Sequence, residues 1–179
     1  PLMSNVVSSF AEDKAGSVWI STEDGGLNHF DRATKEFTSF AGKIPGSSPG
    51  NIKKICYDGT DHLWLGTYAV GLWSFDISSA IYRRHPVGGK TNISIYDILY
   101  EGDGMWLASF GEGLIYYDPK KDVVKQYLSV NNDPYSLSSN LARTLLPDRY
   151  GGLWVGTQNG LNYKPKGSEQ FTRYFYNQY

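Results

Sequence analysis

The segment Trp19-Ile20-Ser21-Thr22 returns three more times along the chain, and this repetition decides the fold. The later copies are Trp64-Leu65-Gly66-Thr67, Trp106-Leu107-Ala108-Ser109 and Trp154-Val155-Gly156-Thr157. A Gly-Leu pair follows each tryptophan within eight residues, as Gly26-Leu27, Gly71-Leu72, Gly113-Leu114 and Gly160-Leu161. Several elements that recur together at a nearly constant spacing indicate one structural unit repeated four times.

Each unit has the pattern of four short strands. The first strand is apolar on both faces and is predicted at 6–11, 52–57, 93–100 and 141–146. A turn rich in Gly and Asp, the tryptophan strand and the Gly-Leu strand follow it. The fourth strand is more polar and is predicted at 37–40, 81–84, 124–127 and 171–174. Continuous apolarity indicates a strand covered on both faces, so we expect burial to fall from the first strand to the last.

Four strands in about 40–50 residues are typical of a β-propeller blade. We therefore predict an all-β fold, a partial β-propeller with four blades of four antiparallel strands each. The whole chain, 1–179, is expected to form one segment, with blades at approximately 4–45, 46–88, 89–132 and 133–179. A β-sandwich or meander is the alternative. Helical solenoids are excluded, because no segment keeps a 3.6-residue period for ten residues.

Composition excludes several functional classes. The 179 residues carry a formal net charge of −1, which argues against a nucleic-acid partner. The single cysteine, Cys56, excludes an intrachain disulfide and is expected to be a small core residue. No apolar run reaches the roughly 20 residues of a membrane helix, so we expect no membrane contact by this segment. The start at Pro1, without an initiator Met or signal peptide, suggests a piece of a longer protein.

The repeated side chains have structural explanations. One tryptophan per unit, always at the same place, is what packing between blades requires, although a set of sugar-stacking rings is the functional alternative. Asp31, Asp76 and Asp118 follow a strand and precede a turn, where Asp caps backbone N–H groups rather than acting as a catalytic acid.

The chain shows no constellation for catalysis, metals or cofactors. His29, His62 and His85 share no metal-ligand spacing with one another or with carboxylates. Glu101-Gly102-Asp103-Gly104 lacks the ligands that a calcium loop needs and is expected to be a hairpin turn. We therefore predict no enzyme activity, no catalytic residue, no metal site and no cofactor for this chain.

The spaced elements resemble the two-component-regulator propeller repeat. The shared pattern is Asp-x-x-Gly-x-Val/Leu-Trp, a short apolar and Gly-Thr segment, a Gly-Leu pair and an aromatic-Asp pair, as in Phe30-Asp31, Phe75-Asp76 and Tyr117-Asp118. The fourth unit lacks the Asp, and the third has Ala108-Ser109 for Gly-Thr. The resemblance implies the periplasmic sensor region of an inner-membrane receptor, with a histidine kinase outside this chain. It also implies an oligosaccharide ligand whose binding controls signal transduction.

Candidate binding residues lie in the loops that differ between units, because variable loops on a rigid scaffold concentrate binding function. They fall between the second and third strands of each unit or between units: Glu23, Asp24, Tyr68, Phe110, Glu112, Gln158, Asn159, Arg84 and His85. Tyr68 and Phe110 are expected to be exposed and to stack on a sugar ring, and Glu23, Asp24, Gln158 and Asn159 to accept hydroxyl hydrogen bonds. Ordinary solvated loops are the alternative.

Two other functional classes stay open. The chain suits a protein-protein interaction or dimerisation module that binds no small molecule. A propeller lyase or glycosidase would need converging acid and base residues. The apolar end faces of four blades are expected to find a partner, either further blades of the parent chain or a second copy, unless the four blades close into a ring.

Overall fold

The computed structural model describes residues 2–24, 26–40 and 49–176, and it is all-β, with four sheets of four antiparallel strands. Each sheet is a meander in chain order, so each is one blade. Blades one and two comprise β1 (Val7–Glu12), β2 (Val18–Thr22), β3 (Gly26–Phe30), β4 (Phe37–Ser39), β5 (Ile52–Tyr57), β6 (His62–Thr67), β7 (Leu72–Asp76) and β8 (Ile81–His85). Blades three and four comprise β9 (Ile95–Glu101), β10 (Gly104–Ser109), β11 (Gly113–Asp118), β12 (Val123–Tyr127), β13 (Ala142–Pro147), β14 (Leu153–Thr157), β15 (Gly160–Lys164) and β16 (Thr172–Tyr174). The predicted fold class is confirmed.

The predicted strands agree with the observed ones to within two residues at each end. The predicted blade boundary between 45 and 46 lies outside the described residues. The boundaries at 88/89 and 132/133 fall in the connections between β8 and β9 and between β12 and β13. The predicted turn at Glu101-Gly102-Asp103-Gly104 is confirmed, because β9 ends at Glu101 and β10 begins at Gly104.

Apolar clusters lie between successive blades. Trp19 and Leu27 of blade one pack with Ile55 and Phe75 of blade two. Trp64 of blade two belongs in the same way to a cluster with residues of blade three. A third cluster joins blades three and four. The tryptophan face of each of the first three blades therefore packs on the next blade along the chain, which confirms a packing role for Trp19 and Trp64, 2% and 6% exposed.

The expected burial gradient is wrong. The middle strands are the most buried, with five of six residues of β6 and four of five of β7 buried, whereas β5 has only two buried residues. The first strands line the propeller axis, and at one level they carry polar or charged side chains there: Ser9, Lys54, Asp97 and Thr144. The apolar residues of these strands therefore cover only the faces between blades. Because the strands also line the axis, their continuous apolar pattern overestimated their burial.

The two end faces of the blade stack are exposed. On blade one, Phe10 is 72% exposed, and Phe37 on the same side of the sheet is also exposed. On blade four, Leu146 is 64% exposed, and it borders an apolar hollow of about 370 Å³ that Trp154 and Leu161 also line. These are the faces that neighbouring blades cover elsewhere in the molecule. The described blades therefore form an arc with open ends.

The glycine of the Gly-Leu pair is required by a close approach of two backbones. Gly113 has φ +70°, and a Cβ built on it would lie 2.3 Å from the carbonyl oxygen of Tyr127 at the end of β12. Gly71 shows the same crowding, with a Cβ 2.4 Å from the carbonyl oxygen of Thr91. Only glycine allows both the left-handed conformation and this contact.

The capping role predicted for the repeated aspartates is confirmed. Asp31 Oδ1 accepts hydrogen bonds from the backbone N–H groups of Ala33 and Thr34 at 2.7 and 3.0 Å. Asp76 and Asp118 accept equivalent bonds from the turns that follow β7 and β11. These carboxylates therefore fix the hairpins between the third and fourth strands.

Candidate functional site

The connections from second to third strand and from blade to blade emerge at one end of the propeller axis, which we call the loop face. Each blade has one residue, four positions after its repeated tryptophan, whose backbone N–H donates a hydrogen bond to the carbonyl oxygen just before the first strand of a blade. The donor–acceptor distances are 2.9–3.0 Å for Glu23–Val6, Tyr68–Asn51, Phe110–Ser94 and Gln158–Leu141. Four different side chains are thus held at equivalent places around the axis. Four of the predicted binding residues occupy these places.

A β-bulge near the start of each first strand brings further side chains of blades two, three and four to the loop face. The pairing of the first and second strands skips one residue near the start of each first strand, and these residues are Ser8, Lys53, Tyr96 and Arg143. Lys53 Nζ lies 3.2 Å from Glu23 Oε1. The bulge residue of blade two therefore contacts the loop of blade one.

Blades three and four build an aromatic and cationic cluster at the same face. The rings of Tyr96 and Phe110 have centroids 5.5 Å apart. The guanidinium carbon of Arg143 lies 5.2 Å from the ring centroid of Phe110 and 5.8 Å from that of Tyr96. These distances suit cation–π contacts. We call Tyr96, Phe110 and Arg143 the axial cluster.

Tyr68 and Phe110, which were expected to be equally exposed, differ. Tyr68 is 47% exposed, and its loop is held by the Ala69 N–H, which donates to Ser94 Oγ at 3.0 Å. Phe110 is half-buried, because Tyr96 and Arg143 cover part of its ring. The loop face therefore offers one free ring and one ring held in a stack.

An ion pair lies one level deeper along the axis. Lys54 Nζ is 2.9 Å from Asp97 Oδ1, and the other carboxylate oxygen of Asp97 accepts a hydrogen bond from the Leu145 N–H at 2.8 Å. Asp97 is 8% exposed. This polar layer joins blades two, three and four beneath the loop face.

The remaining predicted site residues lie away from the axial cluster. Asp24 and Asn159 are exposed loop residues. Glu112 forms an ion pair with Lys90, which lowers the pKa of the glutamate carboxyl. Arg84 and His85 are neighbours in sequence but point to opposite sides of β8, since the Arg84 guanidinium lies 5.7 Å from the Trp73 ring and the His85 ring 4.8 Å from the Trp64 ring. The structure does not bring these two together.

Sequence reasoning missed Lys53, Tyr96 and Arg143. Their first strands were predicted to be apolar and covered on both faces, so none of their side chains was assigned to a loop, whereas a bulge places one residue of each strand outside the regular pairing. A weak signal exists, because the polar residues of 53–54 and 96–97 occur as pairs that interrupt apolar strands. Paired polar residues at a strand start are compatible with a bulge.

Within 2–24, 26–40 and 49–176, no group of three His, Cys, Asp or Glu side chains is arranged to hold a metal ion. Over the same ranges, no helix has the length and apolar character of a membrane span.

The sheet order and the packing of first strands around an axis define the class of the chain, a β-propeller. Residues 1–24 and 136–159 match the family model described as "Two component regulator propeller". These two segments, in blades one and four, therefore match the two-component regulator propeller repeat.

Known proteins resemble the whole chain. It is 31% identical over 168 residues to a protein named Histidine kinase P4 from Formosa agariphila, covering 88% of this chain and 12% of that protein. It also resembles the extracellular domains of two proteins from B. thetaiotaomicron whose structures are described as hybrid two-component systems. Their TM-scores are both 0.78, at 20% and 21% identity, over 98% and 100% of this chain and 25% of each of theirs. The chain thus spans only a small part of the proteins that it matches.

Proposed function

We propose that this propeller is the ligand-sensing segment of a periplasmic two-component receptor and binds an oligosaccharide at its loop face. The observation that carries the proposal is the axial cluster, in which Arg143 and Tyr96 hold the ring of Phe110 at the end of the propeller axis. Relatives that are extracellular domains of two-component systems support the periplasmic location.

The chemistry of the loop face suits a sugar chain. The apolar face of a pyranose ring packs on aromatic rings, which bury large apolar area and carry polar edges. Tyr68 supplies an exposed ring one blade away from Phe110. Glu23, Lys53 and Gln158 supply acceptors and donors for hydroxyl groups. A ligand longer than one ring is needed to reach both aromatic positions.

The signal would leave the propeller through parts of the receptor outside this chain. A ligand that contacts several blades favours one arrangement of those blades over others, and the receptor equilibrium shifts by that difference in affinity. The relative named as a histidine kinase supports a phosphotransfer output, and this chain corresponds to 12% of its length. The kinase and its phosphotransfer therefore belong to the proposed parent protein, and this segment acts without catalysis.

Isothermal titration against a panel of plant and algal oligosaccharides tests the proposal. We expect one class of sugar chain to bind, and Phe110→Ala to weaken that binding at least about 5-fold, because stacking on a ring contributes about 1 kcal/mol or more. Tyr150→Ala is the matched control, since Tyr150 is 70% exposed and Arg149 lies over its ring at 4.8 Å, at the opposite end of the blades. Equal losses in both variants, or no binding by any sugar, would overturn the loop-face site.

A protein-interaction module is the second candidate, and the open end faces favour it. Leu146 and Phe10 expose apolar surface that a neighbouring blade covers elsewhere in the fold. Under this alternative the chain binds further blades or a second copy through these faces and no sugar in the titration. Product analysis on the same sugar panel tests the third class, an enzyme.

A further inference from the structure

The second blade departs from the others around its tryptophan. In blades one, three and four this indole lies against two aromatic rings, one across the third strand and one at the end of the fourth. These ring pairs are His29 and Phe40, Tyr116 and Tyr127, and Tyr163 and Tyr174, at centroid distances of 4.6–5.8 Å. In blade two, His85 keeps the second position, but Ser74 replaces the first ring. A ring's volume is therefore missing beside Trp64.

The missing ring leaves a cleft between blades two and three. Its volume is about 480 Å³, and its walls include Trp64, Ser74, Arg83 and Asp58 of blade two and Lys120 of blade three. Trp64, Ser74 and Arg83 are aligned across β6, β7 and β8, so their side chains stand on one side of the sheet. The size is that of sites for small organic ligands.

The indole N–H of Trp64 is buried without a hydrogen-bond partner among the described residues. At the equivalent places, Trp19 Nε1 donates to Asp13 at 2.8 Å and Trp106 Nε1 to Glu101 at 3.1 Å. The equivalent carboxylate in blade two is Asp58. Its Oδ1 accepts from the turn and its Oδ2 lies 3.5 Å from His62 Nδ1. Trp64 and Asp58 line the same cleft, but the Trp64 N–H makes no hydrogen bond to this carboxylate. A buried N–H without an acceptor costs about 1–3 kcal/mol, which a ligand oxygen would relieve.

The charges of the cleft point to a ligand with both a carboxylate and hydroxyl groups. The Arg83 guanidinium has no hydrogen bond or ion pair in the described part of the chain, and the Lys120 ammonium has only an exposed contact with Asp103 at 3.5 Å. Asp58 and Asp76 bracket His62, each 3.5 Å from one of its ring nitrogens. Burial lowers the pKa of His85, which favours its neutral form, and its Nε2 shares a 2.8 Å hydrogen bond with Ser74 Oγ. Cations thus face one part of the cleft, and acceptors face another.

We infer that this cleft binds a small sugar acid, a mono- or disaccharide that carries a carboxylate. The ligand carboxylate forms ion pairs with Arg83 and Lys120. A ring or hydroxyl oxygen of the sugar accepts a hydrogen bond from the Trp64 indole N–H, and other hydroxyl groups form hydrogen bonds with Asp58 and Ser74. Asp58 and Lys120 stand in turns at the end of the blades opposite the loop face. The site is therefore separate from the axial cluster and does not depend on it.

Titration of the ¹⁵N-labelled chain with glucuronate, and separately with glucose, tests the inference. The two sugars differ at one carbon, a carboxylate in the first and a hydroxymethyl in the second. We expect glucuronate to shift the Trp64 indole N–H resonance, assigned with Trp64→Phe, and glucose to bind at least about 10-fold more weakly because it lacks the charge-assisted bonds. No shift with either sugar, or equal affinity for both, would overturn the inference.

Two variants separate the cleft from nonspecific effects. Ser74→Tyr restores the ring that blades three and four carry, so it should fill the cleft and abolish glucuronate binding while the fold is kept. Arg83→Ala, at an exposed position, should raise the Kd at least about 10-fold. Lys125→Ala is the matched control, since Lys125 occupies the same strand position in blade three and pairs with Glu169. Unchanged binding in Ser74→Tyr, or equal losses in Arg83→Ala and Lys125→Ala, would contradict the site.

Discussion

The ammonium of Lys54 lies 2.9 Å from a carboxylate oxygen of Asp97, so an ion pair joins blades two and three beside the axis. Asp97 also accepts the backbone N–H of Leu145, which attaches blade four to the same carboxylate. The Asp97 carboxylate is mostly buried and has partners from two other blades, whereas the surface ion pairs of this chain are exposed to solvent. Its removal leaves an ammonium and an N–H without their acceptor.

We therefore predict that Asp97→Ala lowers the free energy of unfolding by about 3 kcal/mol, measured by urea denaturation. Asp103→Ala is the control, because the Lys120–Asp103 pair has both side chains about 70% exposed. Such a pair contributes about 0–1 kcal/mol. Similar losses of unfolding free energy in the two variants would show that the Lys54–Asp97 pair contributes no more stability than an exposed pair.

Two tryptophans at the same repeat position should differ in their contribution to stability. Trp19 is 2% exposed, packs against Phe75 and donates to Asp13, whereas Trp154 lies on the open face of blade four. Trp19→Ala should cost about 3–5 kcal/mol, as expected for a large side chain removed from a packed core. Trp154→Ala should cost less than half as much. The reverse order in thermal or urea unfolding would contradict the assignment of the open face.

The glycine of the Gly-Leu pair should tolerate no side chain. Gly113→Ala must place a Cβ 2.3 Å from the carbonyl oxygen of Tyr127 in a left-handed conformation, so β11 and β12 must separate. Gly89→Ala is the matched control, since Gly89 has φ +77° with open space around it. We expect about 1–2 kcal/mol for Gly89→Ala from conformation alone and clearly more for Gly113→Ala. Equal melting temperatures would exclude the close contact as the reason for glycine.

Acid should weaken the hairpin between β13 and β14. The hydroxyl of Tyr163 donates to Asp148 at 2.8 Å and lowers the pKa of that carboxyl below its ordinary 3.8. A lowered folded-state pKa means that the stabilisation is complete above the unfolded pKa and is lost as the pH falls through the folded one. Tyr163→Phe should raise the pKa of Asp148, followed by carboxyl ¹³C shifts. Tyr116→Phe, at the same position in blade three, should leave it unchanged.

The open end faces should make the chain self-associate. Phe10 and Leu146 lie on the two faces that successive blades bury against each other, so the last face of one copy suits the first face of another. A two-fold pair made in this way would place eight blades in one ring. Light scattering should show association that rises with concentration and is reduced by Leu146→Glu. A monomer at all concentrations, unchanged by this substitution, would contradict the pairing.

Much of the architecture could be predicted because the same sequence pattern occurs in four successive units. The Trp segments, the Gly-Leu pairs and the capping aspartates such as Asp31 are local signals with local causes, namely packing, turn conformation and backbone hydrogen bonds. The first strands were read less well. Alternation shows which residues share a face, but it does not show that Lys54 and Asp97 face the axis rather than a blade.

The candidate sites depended on features that spacing alone does not show. Bulges moved Lys53, Tyr96 and Arg143 to the loop face, and no residue type marks a bulge uniquely. The cleft beside Trp64 arises from a side chain that is small, Ser74, and a missing ring is apparent only when the repeats are aligned strand by strand.

At the loop face, the four residues that follow the repeated tryptophans by four positions are each anchored by a hydrogen bond from the backbone N–H group. Any residue except proline can make that bond, and this chain already uses glutamate, tyrosine, phenylalanine and glutamine there. Recognition chemistry can therefore change by single substitutions while the frame that presents it keeps its hydrogen bonds. A chain built in this way can acquire a new ligand without having to find a new fold.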